Sequence, residues 1–73
     1  MRYAYDTEEG IFTIRQNQYE TWDLYMDAAR LGNYACPEAA AQDVALGVTG
    51  HWDWDRLRSK DELKDLAAWK QEE

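Results

Sequence analysis

The sequence predicts an α+β domain in which a three- or four-stranded antiparallel sheet packs on one main helix, with a short C-terminal helix. Two patterns indicate this fold. Apolar and polar side chains alternate over residues 11–35, with short polar connections between the alternating segments. An alanine-rich segment with helical spacing then follows at 37–48. The chain has 73 residues, of which 14% are aromatic, so it is expected to form one small domain with a single core.

The first half of the chain predicts strands. Residues 11–15, 21–26 and 30–35 give the clearer signals, and Tyr3 and Tyr5 give a weaker one that leaves an extra strand open. Connections this short have no room for a crossover, so the strands must be antiparallel. The side chains predicted to face the core are Phe12, Ile14, Trp22, Leu24, Met26, Leu31 and Tyr34.

The main helix is predicted over residues 37–48. Pro37 suits a first helical position, since its ring presets φ and the missing N–H would have had no partner there. Cys36 would then be the N-cap, although its side chain is a poor cap. Gly50 is the predicted stop, with Gly47 as the alternative. Helical spacing predicts a buried stripe formed by Ala40, Ala41, Val44, Ala45 and Val48.

The remaining residues are predicted to close over this helix and the sheet. In the segment from His51 to Asp55, Trp54 is expected to be buried, together with Leu57, and Trp52 to be half exposed. The S-x-x-E pattern that begins at Ser59 is typical of a capping box and predicts a second helix from Lys60. Its apolar stripe would be Leu63, Leu66 and Ala67, with Trp69 at the end. Residues 71–73 are expected to fray.

Composition disfavours several functional classes. Eight basic residues against 15 acidic ones give a net charge of −7, and both halves of the chain are acidic. We therefore predict no nucleic-acid partner, since binding to the phosphate backbone needs a basic face. No apolar run approaches the length of a membrane span, so we predict no membrane partner and a cytoplasmic location. A single cysteine, Cys36, cannot form an internal disulfide, which fits a reducing compartment.

One local pattern resembles the plant ethylene-response-factor DNA-binding domain. In that family a strand with the sequence L-G-x-F leads directly into a helix carrying E-x-A-A. The resemblance implies a three-stranded antiparallel sheet on one helix, but it does not carry DNA binding, because the outward positions do not match the Arg and Trp that the family uses. The matching residues are Leu31, Gly32, Asn33, Tyr34, Glu38, Ala40, Ala41 and Val44.

A longer pattern is similar to that of a group of small uncharacterised bacterial proteins. These share L-G-x-Y, then P-x-x-A-A, then Thr-Gly and Trp-Asp. The resemblance implies a fold and no site, because the group has no established activity. The residues that carry it are Leu31, Gly32, Tyr34, Pro37, Ala40, Ala41, Thr49, Gly50, Trp54 and Asp55.

Two sets of residues could form a metal-binding or catalytic site. In an extended segment His51, Asp53 and Asp55 would face one way and could hold a divalent metal. Alternatively, the aspartates bond local backbone groups in a turn, and the sequence leaves this choice open. Cys36 with His51 could form a nucleophile and base, but no orienting group or oxyanion motif accompanies them, and lone cysteines are usually small buried hydrophobes. We therefore predict no enzyme activity, no catalytic residue and no cofactor or metal.

The leading functional hypothesis is a small non-enzymatic protein-interaction module that binds a protein partner or forms a homodimer. Tyrosine and tryptophan beyond the needs of one core favour it. The alternative is an acidic nucleic-acid mimic that occupies the basic groove of a DNA- or RNA-binding protein, and such a mimic needs its carboxylates on one face. The predicted surface is the sheet face away from the helix, or its exposed edge. The surface residues are Ile11, Thr13, Arg15, Asp23, Tyr25 and Trp52.

Overall fold

The structure, a computed structural model, describes residues 2–56 and 61–72 and shows a five-stranded antiparallel sheet with helices on one side. The α+β class and the single main helix are confirmed, whereas the predicted strand number of three or four is wrong. The spatial order of the strands is β4-β3-β2-β1-β5. They are β1 (Arg2–Thr7), β2 (Gly10–Gln16), β3 (Trp22–Met26), β4 (Ala29–Tyr34) and β5 (Lys70–Glu72).

The weak strand signal at the N-terminus corresponds to β1, which pairs with β2 along its whole length. On its other side, β1 pairs with β5. Gln71 and Glu72 therefore do not fray as predicted, and Glu73 lies outside the described residues. The reason is tertiary: the buried side chain of Trp69 fixes the chain just before β5, next to the free edge of β1.

The main helix, α1 (Pro37–Leu46), begins at the predicted proline, with Cys36 as an N-cap whose side chain makes no capping bond. It ends at Gly47, which has a φ of 72°, and not at Gly50. The N–H groups of Gly47 and Val48 bond the carbonyls of Val44 and Asp43, which is a Schellman ending. Val48 consequently lies beyond the helix and is 59% exposed, so its predicted place on the buried stripe is wrong.

A short second helix, α2 (Trp52–Asp55), follows α1. Where a C-terminal helix was predicted, the described residues form two 3₁₀ segments, Asp61–Lys64 and Leu66–Ala68. Asp65 separates them because its backbone is extended and its side chain accepts the N–H of Ala67, a local bond that competes with a continuous helix. Leu57, the capping-box Ser59 and the predicted start at Lys60 lie outside the described residues.

The core lies between the sheet and the helical layer. The Trp54 ring meets Phe12 edge to face, with ring centroids 4.9 Å apart, and its Nε1 donates to the Val44 carbonyl at 2.9 Å. Trp22 and Tyr34, predicted as core residues, are only partly buried at the edge of the core. The buried apolar side chains are Phe12, Ile14, Leu24, Met26, Ala40, Ala41, Val44, Ala45, Trp54, Leu63 and Trp69.

One hydrogen bond fastens β4 to α1: the Tyr34 hydroxyl donates to Asp43 Oδ2 at 2.7 Å. We expect Tyr34→Phe to lower the free energy of unfolding by about 1–2 kcal/mol, because a partly buried charged acceptor loses its donor. Tyr19→Phe is the matched control, since Tyr19 is 76% exposed and a change at such a surface position has little effect. Urea unfolding measures both variants, and equal losses would contradict a stabilising role for this bond.

The same hydroxyl predicts a pH dependence. Burial, together with the neighbouring Asp43 carboxylate, raises the pKa of Tyr34 above its usual value of 10. As the pH rises, Tyr34 ionises in the unfolded chain before it ionises in the folded protein. The contribution of Tyr34 to the free energy of unfolding is therefore complete below pH 10 and is lost above it. This alkaline loss should be smaller in Tyr34→Phe than in the parent protein.

Candidate functional site

The sheet has one face toward the core and one face away from it, and the second face carries most of the predicted surface. Thr13 is paired with Tyr25, and Arg15 with Asp23. Because directly paired residues project to the same side of a sheet, these four side chains share one face with Ile11. Five of the six predicted surface residues therefore lie together, next to one another on the two central strands.

We call this surface the open face. The helical segments pack against the opposite side of the sheet, where Phe12, Ile14, Leu24 and Met26 are buried against α1. Strand register adds side chains from β1, β4 and β5 to the predicted set. The open face consists of Arg2, Ala4, Asp6, Ile11, Thr13, Arg15, Asp23, Tyr25, Asp27, Arg30, Asn33, Lys70 and Glu72.

Asp23 is the hydrogen-bonding centre of this face. Its carboxylate accepts bonds from Asn33 at 2.8 Å, Arg30 at 3.1 Å and Asn17 at 3.3 Å. The bond from Asn33, followed by those from Arg30 and Asn17, lowers the pKa of Asp23 below its usual value despite partial burial. This carboxylate therefore stays ionised at neutral pH, and its contribution to stability is lost only as the pH falls below about 4.

The other basic side chains of the open face are also engaged. Arg2 Nε lies 3.0 Å from Glu72 Oε1, and Lys70 Nζ lies 3.8 Å from the second carboxylate oxygen of the same residue. The Arg15 guanidinium stacks 3.9 Å from the centroid of the Tyr25 ring, a cation–π arrangement that orders both side chains. Much of the polar surface is thus held in place before any partner arrives.

A shallow concavity of about 650 Å³ opens on this face where β1, β2 and β5 run side by side. Ile11, which is 46% exposed, lines it. Asp6 is paired with Ile11 on one side, and Asp27 on the other side accepts the Ile11 N–H through Oδ1 at 2.9 Å. Gly10 makes room for Asp27, because a Cβ at Gly10 would lie 2.5 Å from Asp27 Oδ2.

Trp52, the sixth predicted surface residue, is not on the open face. It begins α2 in the helical layer and is 73% exposed. Leu46 and Val48 are also more than half exposed, at 52% and 59%, so the turn between α1 and α2 presents apolar side chains to solvent. The sequence pattern placed Val48 in the core because the predicted α1 continued to 48, and it made no assignment for Leu46. The alternative stop at Gly47 was the signal that would have found Val48.

The residues considered as possible metal ligands adopt a different local structure. Trp52–Asp55 is helical, so His51, Asp53 and Asp55 do not face one way as they would in an extended segment. The Asp55 carboxylate instead accepts the N–H and hydroxyl of Thr49, at 2.9 and 2.7 Å, and the N–H of Gly50 at 2.7 Å. Among the described residues, no three His, Cys, Asp or Glu side chains are grouped to hold a metal ion.

The second candidate pair, Cys36 and His51, is not brought together. Cys36 is exposed and not buried as expected for a lone cysteine, since it precedes the first turn of α1. His51 follows the other end of that helix, whose ten residues span about 15 Å. The two side chains therefore lie at opposite ends of α1.

None of the described helices is long and apolar enough to cross a membrane. Comparisons with protein-family models, with curated proteins and with solved structures find no match to this chain. The two resemblances stated from the sequence therefore stay predictions. The geometry of the open face is what supports an inference about function.

Proposed function

We propose that this chain is a small non-enzymatic protein-interaction module that binds a protein partner through its open face. The charge balance of that face carries the proposal. It has four basic and four acidic side chains, so the entire net charge of −7 lies elsewhere on the chain. Non-obligate protein interfaces are about as polar as the rest of a protein surface and are enriched in tyrosine and arginine, and the open face contains both residue types.

The order already present on this face also supports binding. Asp23 is held by three donors and Arg15 by the Tyr25 ring, so these side chains lose little conformational freedom when a partner covers them. Arginine and tyrosine are residue types that often dominate binding energy. The concavity beside Ile11 gives a projecting side chain of the partner a place to enter.

Charge geometry favours this function over the nucleic-acid mimic. A mimic presents an array of carboxylates, whereas the open face carries as many basic side chains as acidic ones. Self-association is the other route by which the face could be covered. The net charge of −7 on each copy opposes it through like-charge repulsion.

The test is affinity capture from the native host followed by binding measurements with the partner so identified. Thr13→Lys puts a longer, charged side chain at the centre of the open face, and Tyr25→Ala removes the ring beneath Arg15. We expect each to weaken binding about tenfold or more, as loss of a central interface contact does. Sedimentation of the free protein shows whether it is monomeric.

Val48→Lys is the matched control, since it changes an exposed apolar residue in the turn between α1 and α2. Unchanged affinity in this control, with losses in the two open-face variants, supports the proposal. If only Val48→Lys weakens binding, the working surface is that turn and the proposal is wrong. The protein could instead form a concentration-dependent dimer that Thr13→Lys abolishes, with no other partner captured. In that case the partner at the open face is a second copy of this chain.

A further inference from the structure

Some charged side chains of the open face have a partner within the chain, and others do not. Each of its basic side chains already has a partner: Glu72 for Arg2 and Lys70, Asp23 for Arg30, and the Tyr25 ring for Arg15. In contrast, the Asp6 side chain makes no hydrogen bond or ion pair with any described residue. Asp27 is engaged through Oδ1 alone, with the Ile11 N–H. The face as a whole is balanced, since the Tyr25 ring does not cancel the Arg15 charge, but Asp6 and Asp27 are carboxylates without an ion pair among the described residues and form its unpaired negative charge.

This unpaired charge lies at one end of the face. Asp6, Ile11 and Asp27 form a row across β1, β2 and the end of β3, and neighbouring strands are about 4.8 Å apart. An exposed apolar side chain thus stands between two carboxylates at the rim of the concavity. No lysine or arginine occurs in residues 3–14 or 16–29, so the adjoining turns bring no positive charge to this end. The basic side chains that line the concavity, Arg2 and Lys70, contact Glu72.

On the basis of the proposed function, we propose that the open face selects a partner segment that carries a lysine or arginine side chain. The alkyl stem of that side chain lies over Ile11, and its cationic group meets Asp6 and Asp27. Lysine and arginine suit such a place because they combine an apolar stem with a charged head. A second copy of this chain is a poorer occupant, since it brings a net charge of −7 to an acidic end.

The net charge of −7 adds a long-range component. A basic segment is attracted at distances up to about 10 Å at 0.1 M salt, whereas an acidic or neutral segment is not. Because this net charge lies off the open face, it attracts a basic partner to the molecule without selecting a surface, and the row of Asp6, Ile11 and Asp27 makes that selection. Both contributions favour a basic protein segment as the occupant.

The probes are four acetylated and amidated pentapeptides, Gly-Ala-X-Ala-Gly, in which X is arginine, lysine, glutamine or glutamate. Each is titrated into the ¹⁵N-labelled protein while amide chemical shifts are recorded. We expect the arginine and lysine peptides to shift the amides of Asp6, Ile11 and Asp27 saturably, and the other two to leave them unchanged. Asp6→Asn should weaken that binding about two- to fivefold, the effect of losing one exposed ion pair.

Glu20→Gln is the control, because it removes the same charge from the loop at the opposite end of the sheet. Equal weakening by Glu20→Gln and Asp6→Asn would show attraction to net charge alone and would overturn the proposal. Shifts with the glutamine peptide of the same size as with arginine would overturn it too, as would no shift with any peptide. In those cases the proposed function still stands if Thr13→Lys weakens binding of the captured partner.

Discussion

Replacing Trp54 with alanine is expected to lower the free energy of unfolding by about 3–5 kcal/mol, the effect of removing a large buried aromatic side chain. Trp54 is 4% exposed, packs edge to face on Phe12 and donates to the Val44 carbonyl. It therefore joins the sheet to the end of α1. A domain this small has about 5 kcal/mol of stability in all, so the variant should keep only about 0–2 kcal/mol and be partly unfolded at 25 °C.

Trp52→Ala is the matched control, since it removes the same side chain two residues earlier, where it is 73% exposed. Its effect on stability should stay within about 0.5 kcal/mol, as for most surface substitutions. Circular dichroism during urea and thermal unfolding measures both variants. A Trp54→Ala protein that melts within a few degrees of the parent would contradict the closing role of α2.

The second large effect is expected at Trp69, for which truncation to alanine should also lower stability by about 3–5 kcal/mol. The ring is 5% exposed, contacts Tyr5 and Phe12, and donates from Nε1 to the Leu63 carbonyl at 2.8 Å. Since Trp69 directly precedes β5, its loss should also release that strand from β1.

Trp69→Phe separates the two roles of this side chain. It keeps most of the apolar packing but leaves the Leu63 carbonyl without its indole donor, and should cost about 1–3 kcal/mol. Hydrogen exchange should show faster exchange of the β1–β5 amides in Trp69→Ala than in Trp69→Phe. Unchanged protection of those amides in Trp69→Ala would mean that β5 pairs without the tryptophan.

The candidate site could be read from the sequence only in part. Period-two alternation assigned Thr13, Arg15, Asp23 and Tyr25 to one face, because adjacent residues of a strand point to opposite sides. It did not find Asp6 or Lys70. β1 was only a weak signal, and residues 70–72 have no strand pattern of their own.

The sequence by itself determined the α+β class, the faces of β2 and β3, and the start of α1 at Pro37. These features depend on residues close together in the chain: side-chain alternation for the strands, and the fixed φ of proline for the helix. Trp54 was also expected in the core, and the structure confirms it there.

The tertiary structure decided the fifth strand, the end of α1 and the division of charge on the open face. Gly47 and Gly50 both have positive φ, but α1 ends at the first, where the N–H groups of Gly47 and Val48 close the Schellman ending. The Gly50 N–H is bonded beyond the helix, to the Asp55 carboxylate. β5 forms because the buried Trp69 places the next three residues, all polar, beside β1. Glu72 thereby bonds Arg2, which lies 70 positions away in the sequence. Contacts between residues so far apart leave no local pattern, since their stability comes from the packed core and not from neighbouring residues.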